Sequence, residues 1–421
     1  MNILKLSYTS LAVITALGLS ACGGGSGGDS GAGSTNTSTV GVVSGFGSIY
    51  VNGCEYETNS ASISVEGQSA TEDDLSVGDV VQVTGPANCT SGTATQIKSA
   101  DELEGWVDSV SLDANGVGTM VVMGQTVTVT EMTVFEDYTG SVAAMNNIAA
   151  NHVVEINGFS SDQGTIYATR VEVKATSLAG YIGDLELKGV VKNHDDINST
   201  IEIGALTINY GAITPGFTIT NDLLVEVKFD TSKTPISIEI EDGGALGYRG
   251  DDDEEVEIYG VLTSAQLSNE FMLGEQKVQV TDATEYEEVD GAATLQDKLA
   301  DSNMLGKLYL EVEGKFVNRV LVAKKVEFED DIADNNECKG TVSNLTPTAG
   351  EMNAGTLTVN STIAECEGQT SMDVTVNNST LMEDDSAANV SKFNLTYLRD
   401  GDVVEVHVDP TSGAAIKLER K

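Results

Sequence analysis

The side chains that could do chemistry are few and scattered. Only three histidines occur, His152, His194 and His407. A hydrolytic triad or a zinc centre needs such residues to converge with a nucleophile or with further ligands. Here two fall in different copies of one repeated strand and the third in a turn, so each is expected at a surface or a strand edge. Gly24-Gly-Ser26-Gly-Gly28 has the letters of a serine nucleophile elbow, but no strand precedes it and no helix follows it. Carboxylates are abundant, with 65 acidic residues against 22 basic ones and a net charge of −43. A glycosidase-like pair is therefore available by inventory. Sugar sites usually stack their ligand on aromatic rings, however, and the chain has one tryptophan and 5% aromatic residues. That tryptophan, Trp106, neighbours a position that is apolar in every repeat, so it faces the other way and is expected to pack between repeats. The densest acidic run is Asp251-Asp-Asp-Glu-Glu255. Oxygen ligands suit calcium, which makes Asp251, Asp253 and Glu255 the candidate metal ligands. The spaced Asp-x-Asp-x-Asp-Gly pattern is missing, so a solvated interdomain linker is the preferred reading of the run and a weak calcium site the lesser one. Arg249-Gly250-Asp251 is an adhesion-like tripeptide, but three residues recur by chance. No catalytic residue is expected, and no cofactor beyond that calcium.

The charge also excludes a class of partner. Affinity for nucleic acid comes from lysine and arginine displacing counterions from phosphate, and a surface this negative has the wrong sign. At the N-terminus Lys5 precedes the apolar stretch Leu11 to Leu19, which is too short to span a bilayer. It ends in Leu19-Ser20-Ala21-Cys22-Gly23. This resembles the lipobox of bacterial lipoproteins, in which the cysteine takes a diacylglyceryl group and becomes the mature N-terminus. The resemblance implies a signal peptide over 1–21, lipidation at Cys22 and attachment to a membrane. Glycine rather than aspartate after the cysteine implies the outer membrane, on its periplasmic side or at the cell surface. Residues 22–39 are almost all Gly, Ser, Thr, Asn and Ala. Such a segment buries little apolar area and forms a tether with a span on the order of 20–25 Å.

Four further cysteines, Cys54, Cys89, Cys338 and Cys366, allow three pairings. Export places them in an oxidising compartment. Two lie in the first repeat and two in the last, so Cys54–Cys89 and Cys338–Cys366 are the economical pairs, each contributing about 3–4 kcal/mol. The spacing of close cysteine pairs that zinc requires is missing.

The elements that must position these groups come from one unit repeated five times. Its signature is a turn followed by an alternating strand: Leu75-Ser-Val-Gly-Asp-Val-Val-Gln-Val-Thr-Gly85 first, then the strands around Val154, Val225, Leu310 and Val404. Each copy opens on a glycine-led strand, at Gly41, Gly105, Gly189, Gly260 and Gly340. Two more strands follow, then an acidic corner of shared form: Thr133-Val-Phe-Glu-Asp137, Thr284-Glu-Tyr-Glu-Glu288 and Thr380-Leu-Met-Glu-Asp384. A short helical turn, the signature strand and a closing strand complete the unit. Period-two alternation of β-branched residues predicts strands throughout, and Asn52-Gly53 and Asn115-Gly116 predict hairpins. Three strands, a helical turn and two strands is the order of an OB-fold-like barrel. The reading is all-β: five small OB-fold-like five-stranded barrels in tandem over 40–102, 103–175, 184–241, 256–330 and 337–421, the third being the least regular.

The first copy, Gly41-Val-Val-Ser-Gly-Phe-Gly-Ser-Ile-Tyr-Val-Asn-Gly53 with Ser62-Ile-Ser-Val-Glu-Gly67 and the signature strand, resembles the 5666 family of domains of unknown function. That family occurs in bacterial envelope lipoproteins, often in tandem after a glycine-rich tether. Cys54 departs from it, because that position is commonly apolar there. The resemblance implies location and fold but no activity. The expectation is a non-catalytic, lipid-anchored envelope protein with a binding or scaffold role toward a protein or glycan. The alternative is a calcium-dependent structural or adhesive surface module.

Overall fold

The structure is a computed structural model that describes residues 36–86, 92–161, 163–241, 255–287, 294–317, 320–331, 336–361, 366, 368–409 and 412–421. The chain is all-β, as its alternation requires. Among the described residues the one α-helix is Leu295–Ala300, which begins in a capping box between Thr294 and Asp297. It sits where the helical turn was expected. Single turns at Glu72–Asp74 and Met145–Asn147 hold the same place in the first and second copies.

The repeated signature has a backbone cause. The residue two before each signature strand is Gly78, Asn151, Asp222, Gly306 or Gly401, and all five have positive φ, from +63° to +97°. Glycine, asparagine and aspartate tolerate that region best. In each copy that residue's N–H donates, at 2.8–2.9 Å, to the carbonyl of Val43, Val107, Val191, Leu262 or Val342. These five residues are at most 3% exposed. The turn thus pins the first strand of each copy to its fourth, and the buried side chain locks the pinned point.

The ladders of the second and fourth copies return on themselves. Leu103–Leu112 pairs with Gly118–Val122, which pairs with Gln125–Val129. That strand runs parallel to Thr165–Ala175, which pairs with Val153–Ser160, and the last pairs back with Leu103–Leu112. The fourth copy repeats the circuit with Glu255–Leu267, Glu270–Leu273, Gln276–Gln279, Val320–Asp331 and Leu308–Val317. In the third copy Lys192–Asp195, Thr200–Ile203 and Leu206–Asn209 form a separate three-stranded sheet.

One expectation needs correction: the copies are not self-sealed units strung in a row. The tether expected over 22–39 also ends earlier, because Asn36–Thr39 belong to the first strand, where Thr37, Ser38 and Thr39 are buried. Ser38–Val40 of that strand pairs in parallel with Val256–Ile258 of the fourth copy, and the two share a 14-stranded sheet. Glu186 and Leu187 of the third pair with Glu104 and Leu103 of the second, in a nine-stranded sheet. The cores follow suit. One runs from Leu103 through Val227 to Ile238, and another joins Val40, Val80 and Phe159 to the fourth copy. Two strand edges that alternation leaves open are thus paired across copies. Trp106 shows the same thing in one side chain, being 2% exposed and edge-on to Phe229 of the third copy at 5.5 Å.

The threonine of the acidic corner has one task in three copies. Thr133, Thr284 and Thr380 each accept from the backbone N–H three residues earlier, at 3.0, 2.9 and 3.1 Å. Each donates to a closing-strand carbonyl, that of Ala168, Ala323 or Ala415, at 2.8, 2.8 and 2.7 Å. This clamp sets the corner parallel to the closing strand. Thr380 is fully buried. Thr380→Val keeps the shape but strands the Asn377 N–H and the Ala415 carbonyl. We expect a loss of about 1–3 kcal/mol, read as a lower urea midpoint with an unchanged m-value.

Candidate functional site

Strand alternation gives each copy an outer face opposite its core, and register decides which side chains meet there. In the fifth copy, Lys339, Glu405, Glu419 and Glu383 lie side by side on four neighbouring strands. The next row holds Glu337, His407 and Lys417. The second copy covers this face with its segment from Glu131 to Phe135, enclosing a cleft of about 620 Å³. Lys417, side chain 3% exposed, bridges Glu383 at 2.9 Å and Glu419 at 3.1 Å. It also donates to the carbonyls of Glu131 (3.1 Å) and Thr133 (3.3 Å). In return the Phe135 N–H donates to Glu383 at 3.2 Å. Lys421, at the rim and 24% exposed, reaches Glu419 at 3.2 Å and Glu405 at 3.5 Å.

The second copy carries a register-equivalent face. Glu104, Glu155, Glu172 and Glu136 form the first row, and Asn157 and Arg170 stand in the places of His407 and Lys417. Arg170, 4% exposed, contacts Glu136 (2.5 Å), Glu172 (2.6 Å), Glu155 (3.2 Å) and Asp79 of the first copy (3.8 Å). Beside it the Thr169 hydroxyl donates to the Gly78 carbonyl at 2.7 Å. Lys174 holds Glu155 at 2.8 Å and Glu172 at 3.2 Å. A third buried cation, Lys188 of the third copy, contacts Glu66 (2.6 Å), Asp101 (3.5 Å) and Glu186 (3.8 Å). Every one of these clusters joins two copies.

Burial sets the electrostatics. Burial alone would lower the pKa of Arg170, Lys188 and Lys417, but the surrounding carboxylates outweigh it and hold all three charged. Some carboxyls go the other way. Burial lifts Asp79 to about 7 despite Arg170 and the Ser76 N–H, and lifts Glu104 to about 7 despite the Tyr181 hydroxyl. Burial and the neighbouring Glu257 lift Glu311 to about 9. Burial, with Lys417 close by, pushes His407 below its ordinary value and keeps its imidazole neutral. Three groups bring possible ligand atoms within 4.8 Å of one another: Glu405, His407 and Glu419; Glu66, Asp101 and Glu186; and Asp101, Glu104 and Glu155.

The residues singled out from sequence fare differently. Cys338 and Cys366 are disulfide-bonded, with Cα atoms 4.1 Å apart. Cys54 is also disulfide-bonded; Cys89 lies outside the described residues, as do Cys22, Asp251 and Asp253. Glu255 opens the first strand of the fourth copy and pairs with Lys315 at 3.2 Å. The His194 Nε2 bonds the Tyr210 hydroxyl at 2.8 Å, and the His152 Nδ1 accepts from the Ala149 N–H at 3.4 Å. His407 corrects the surface expectation, because its residue is 2% exposed. Alternation placed it correctly on the outer face and could not reveal the second copy lying over that face. Arg170 and Lys417 had a fainter signal, a cation followed two residues later by glutamate inside an apolar closing strand.

A family model described as Domain of unknown function (DUF5666) matches four segments, residues 39–98, 104–172, 259–327 and 339–416. These are the first, second, fourth and fifth copies; the third is not matched. No curated protein matches the chain.

The raised carboxyls fix a pH dependence. Their ordinary values are 3.8 for Asp79 and 4.5 for Glu104 and Glu311. Between those values and 7 to 9 the folded state binds more protons than the unfolded one, so stability falls as pH rises. The opposite case is Asp384, where burial alone would raise the carboxyl but hydrogen bonds from Arg420, Ser386 and Val390 together outweigh it and pull it down to about 2. Its contribution is lost only as pH falls below about 4. Thermal denaturation should therefore give a midpoint several degrees higher near about pH 5.5 than near about pH 7.5. The double variant Asp79→Asn, Glu311→Gln should flatten that slope.

Proposed function

The chain belongs to the DUF5666 family, and on that premise we propose that it is a non-catalytic, lipid-anchored protein of the bacterial cell envelope, a scaffold that holds a protein or glycan partner. The observation that carries the reading is the joining of copies through buried ion clusters. Arg170, Lys188 and Lys417 are each committed to fixing one copy on another, which suits a rigid platform. The ladders that return on themselves are read as OB-fold-like barrels, whose ligands usually lie across one face and the adjoining loops. The cleft between the second and fifth copies is such a face. Fold alone does not name the ligand. The calcium-dependent alternative drew on Asp251, Asp253 and Glu255, and the paired Glu255 gives it no support.

Two experiments test the proposal. In-cell cross-linking followed by affinity isolation should return one reproducible envelope protein or polysaccharide. Glu131→Lys, at the cleft wall, should abolish that cross-link while leaving the melting midpoint within about 1 °C, as for surface changes. A partner that is never reproducible, or one unaffected by Glu131→Lys, overturns the cleft as its seat. Separately, Cys22→Ser should move the protein from the membrane fraction to the soluble fraction. A parent chain that is already soluble overturns the anchor, since single-site lipidation at Cys22 is what would hold it.

A further inference from the structure

The second and fifth copies build the same outer face, and they complete it differently. In the second, Arg170 reaches both Glu155 and Glu172, and Lys174 closes the other side at 2.8 and 3.2 Å. Glu155 and Glu172 are there each held by two cations, Arg170 and Lys174. In the fifth, the cation is the single ammonium of Lys417. It pairs with Glu383 and Glu419 and with two carbonyls of the second copy, and no ion pair joins it to Glu405 among the described residues. Glu405 is left to Lys339 at 2.7 Å and to the rim lysine Lys421 at 3.5 Å. Between Glu405 and Glu419 stands His407.

His407 is the second, independent sign. Its side chain is 3% exposed, and it lines the cleft. Its Nδ1 is buried without a hydrogen-bond partner, the nearest carboxylate being Glu131 Oε2 at 3.5 Å. A buried ring nitrogen without a partner is costly unless something else takes its lone pair or proton. One nitrogen of His407 and one oxygen each of Glu405 and Glu419 already lie within 4.8 Å of one another. The cleft holds six carboxylates against three lysines, so a cation entering it meets a net negative wall.

We propose that Glu405, His407 and Glu419 bind a first-row divalent transition-metal ion of the zinc class. An imidazole with two carboxylates is a donor set that zinc, copper and nickel accept and that calcium, which takes oxygen ligands, does not favour. Lys421 is the competitor: it occupies the same two carboxylates, is partly exposed, and swings to solvent when the ion enters. The cluster of Glu66, Asp101 and Glu186 is the contrast, because Lys188 sits among those carboxylates, is 3% exposed and has no path outward. Metal binding at His407 is independent of whether the chain is anchored or has a partner.

The test is calorimetric titration of the full chain, without a histidine tag, with Zn²⁺ and separately with Ca²⁺. One equivalent of Zn²⁺ should bind. Affinity should fall at least tenfold in Glu405→Gln and in His407→Gln and rise in Lys421→Met, and Ca²⁺ should not compete. Because His407→Gln disturbs a buried position, a second readout uses the folded site itself. In the variant His152→Gln, His194→Gln only His407 remains of the three histidines. Its Cu²⁺ complex should show electron-paramagnetic-resonance coupling to one imidazole nitrogen. No Zn²⁺ binding, equal affinity in Glu405→Gln, displacement by Ca²⁺, or a copper spectrum without nitrogen coupling each overturns the site.

Discussion

A chain with 22 cations and 65 acids can bury polar surface only where a basic side chain sits among the carboxylates. That constraint organises the molecule. Burying a carboxylate alone is costly, and burying it against a guanidinium or ammonium with good geometry offsets much of that cost. The second, fourth and fifth copies present acid-rich outer faces. Two such faces cannot meet without a cation between them, and the three best-buried cations lie where faces do meet. Arg170 joins the second copy to the first, Lys188 the third to the first, and Lys417 the fifth to the second. At Glu311, where burial and the neighbouring Glu257 lift the carboxyl to about 9, a proton takes the place of a cation.

What was legible in the sequence is what each copy does for itself. The turn with its left-handed residue, the buried column from Val43 to Val342 and the threonine corner are local patterns, and local patterns repeat visibly. What was not legible is what copies do to each other. The pairing of Ser38–Val40 with Val256–Ile258 depends on which edges are left open and which outer faces match, and neither has a period. His407 is the sharpest case: the same alternation that sets it outward makes it look solvated, until another copy's Glu131 and Thr133 lie over it. The third copy, unmatched by the family model, also lacks an arginine or lysine at the position of Arg170, where Ser237 stands.

The second and fifth copies show how a repeated frame diversifies. Arginine reaches two rows of carboxylates with a planar fork, whereas lysine is a point charge that serves one direction. Arg170 therefore reaches both Glu155 and Glu172, and Lys417, in the same place, leaves Glu405 to the more exposed Lys339 and Lys421. The exchange of Asn157 for His407 occurs beside that gap. One frame thus yields a junction closed by a buried arginine in one copy and a lysine-lined cleft in another, with no change in strand order.

The pairing of Ser38–Val40 has a mechanical meaning. The strand Asn36–Phe46 opens the first copy. It is gripped on both edges, antiparallel by Val80–Pro86 and parallel by Glu255–Leu267. Tension along this strand would load those bonds together, in shear, instead of parting them one by one as at a free hairpin. It would also be shared at once between the first and fourth copies. A pull on the opening strand of the first copy is thus resisted by two copies.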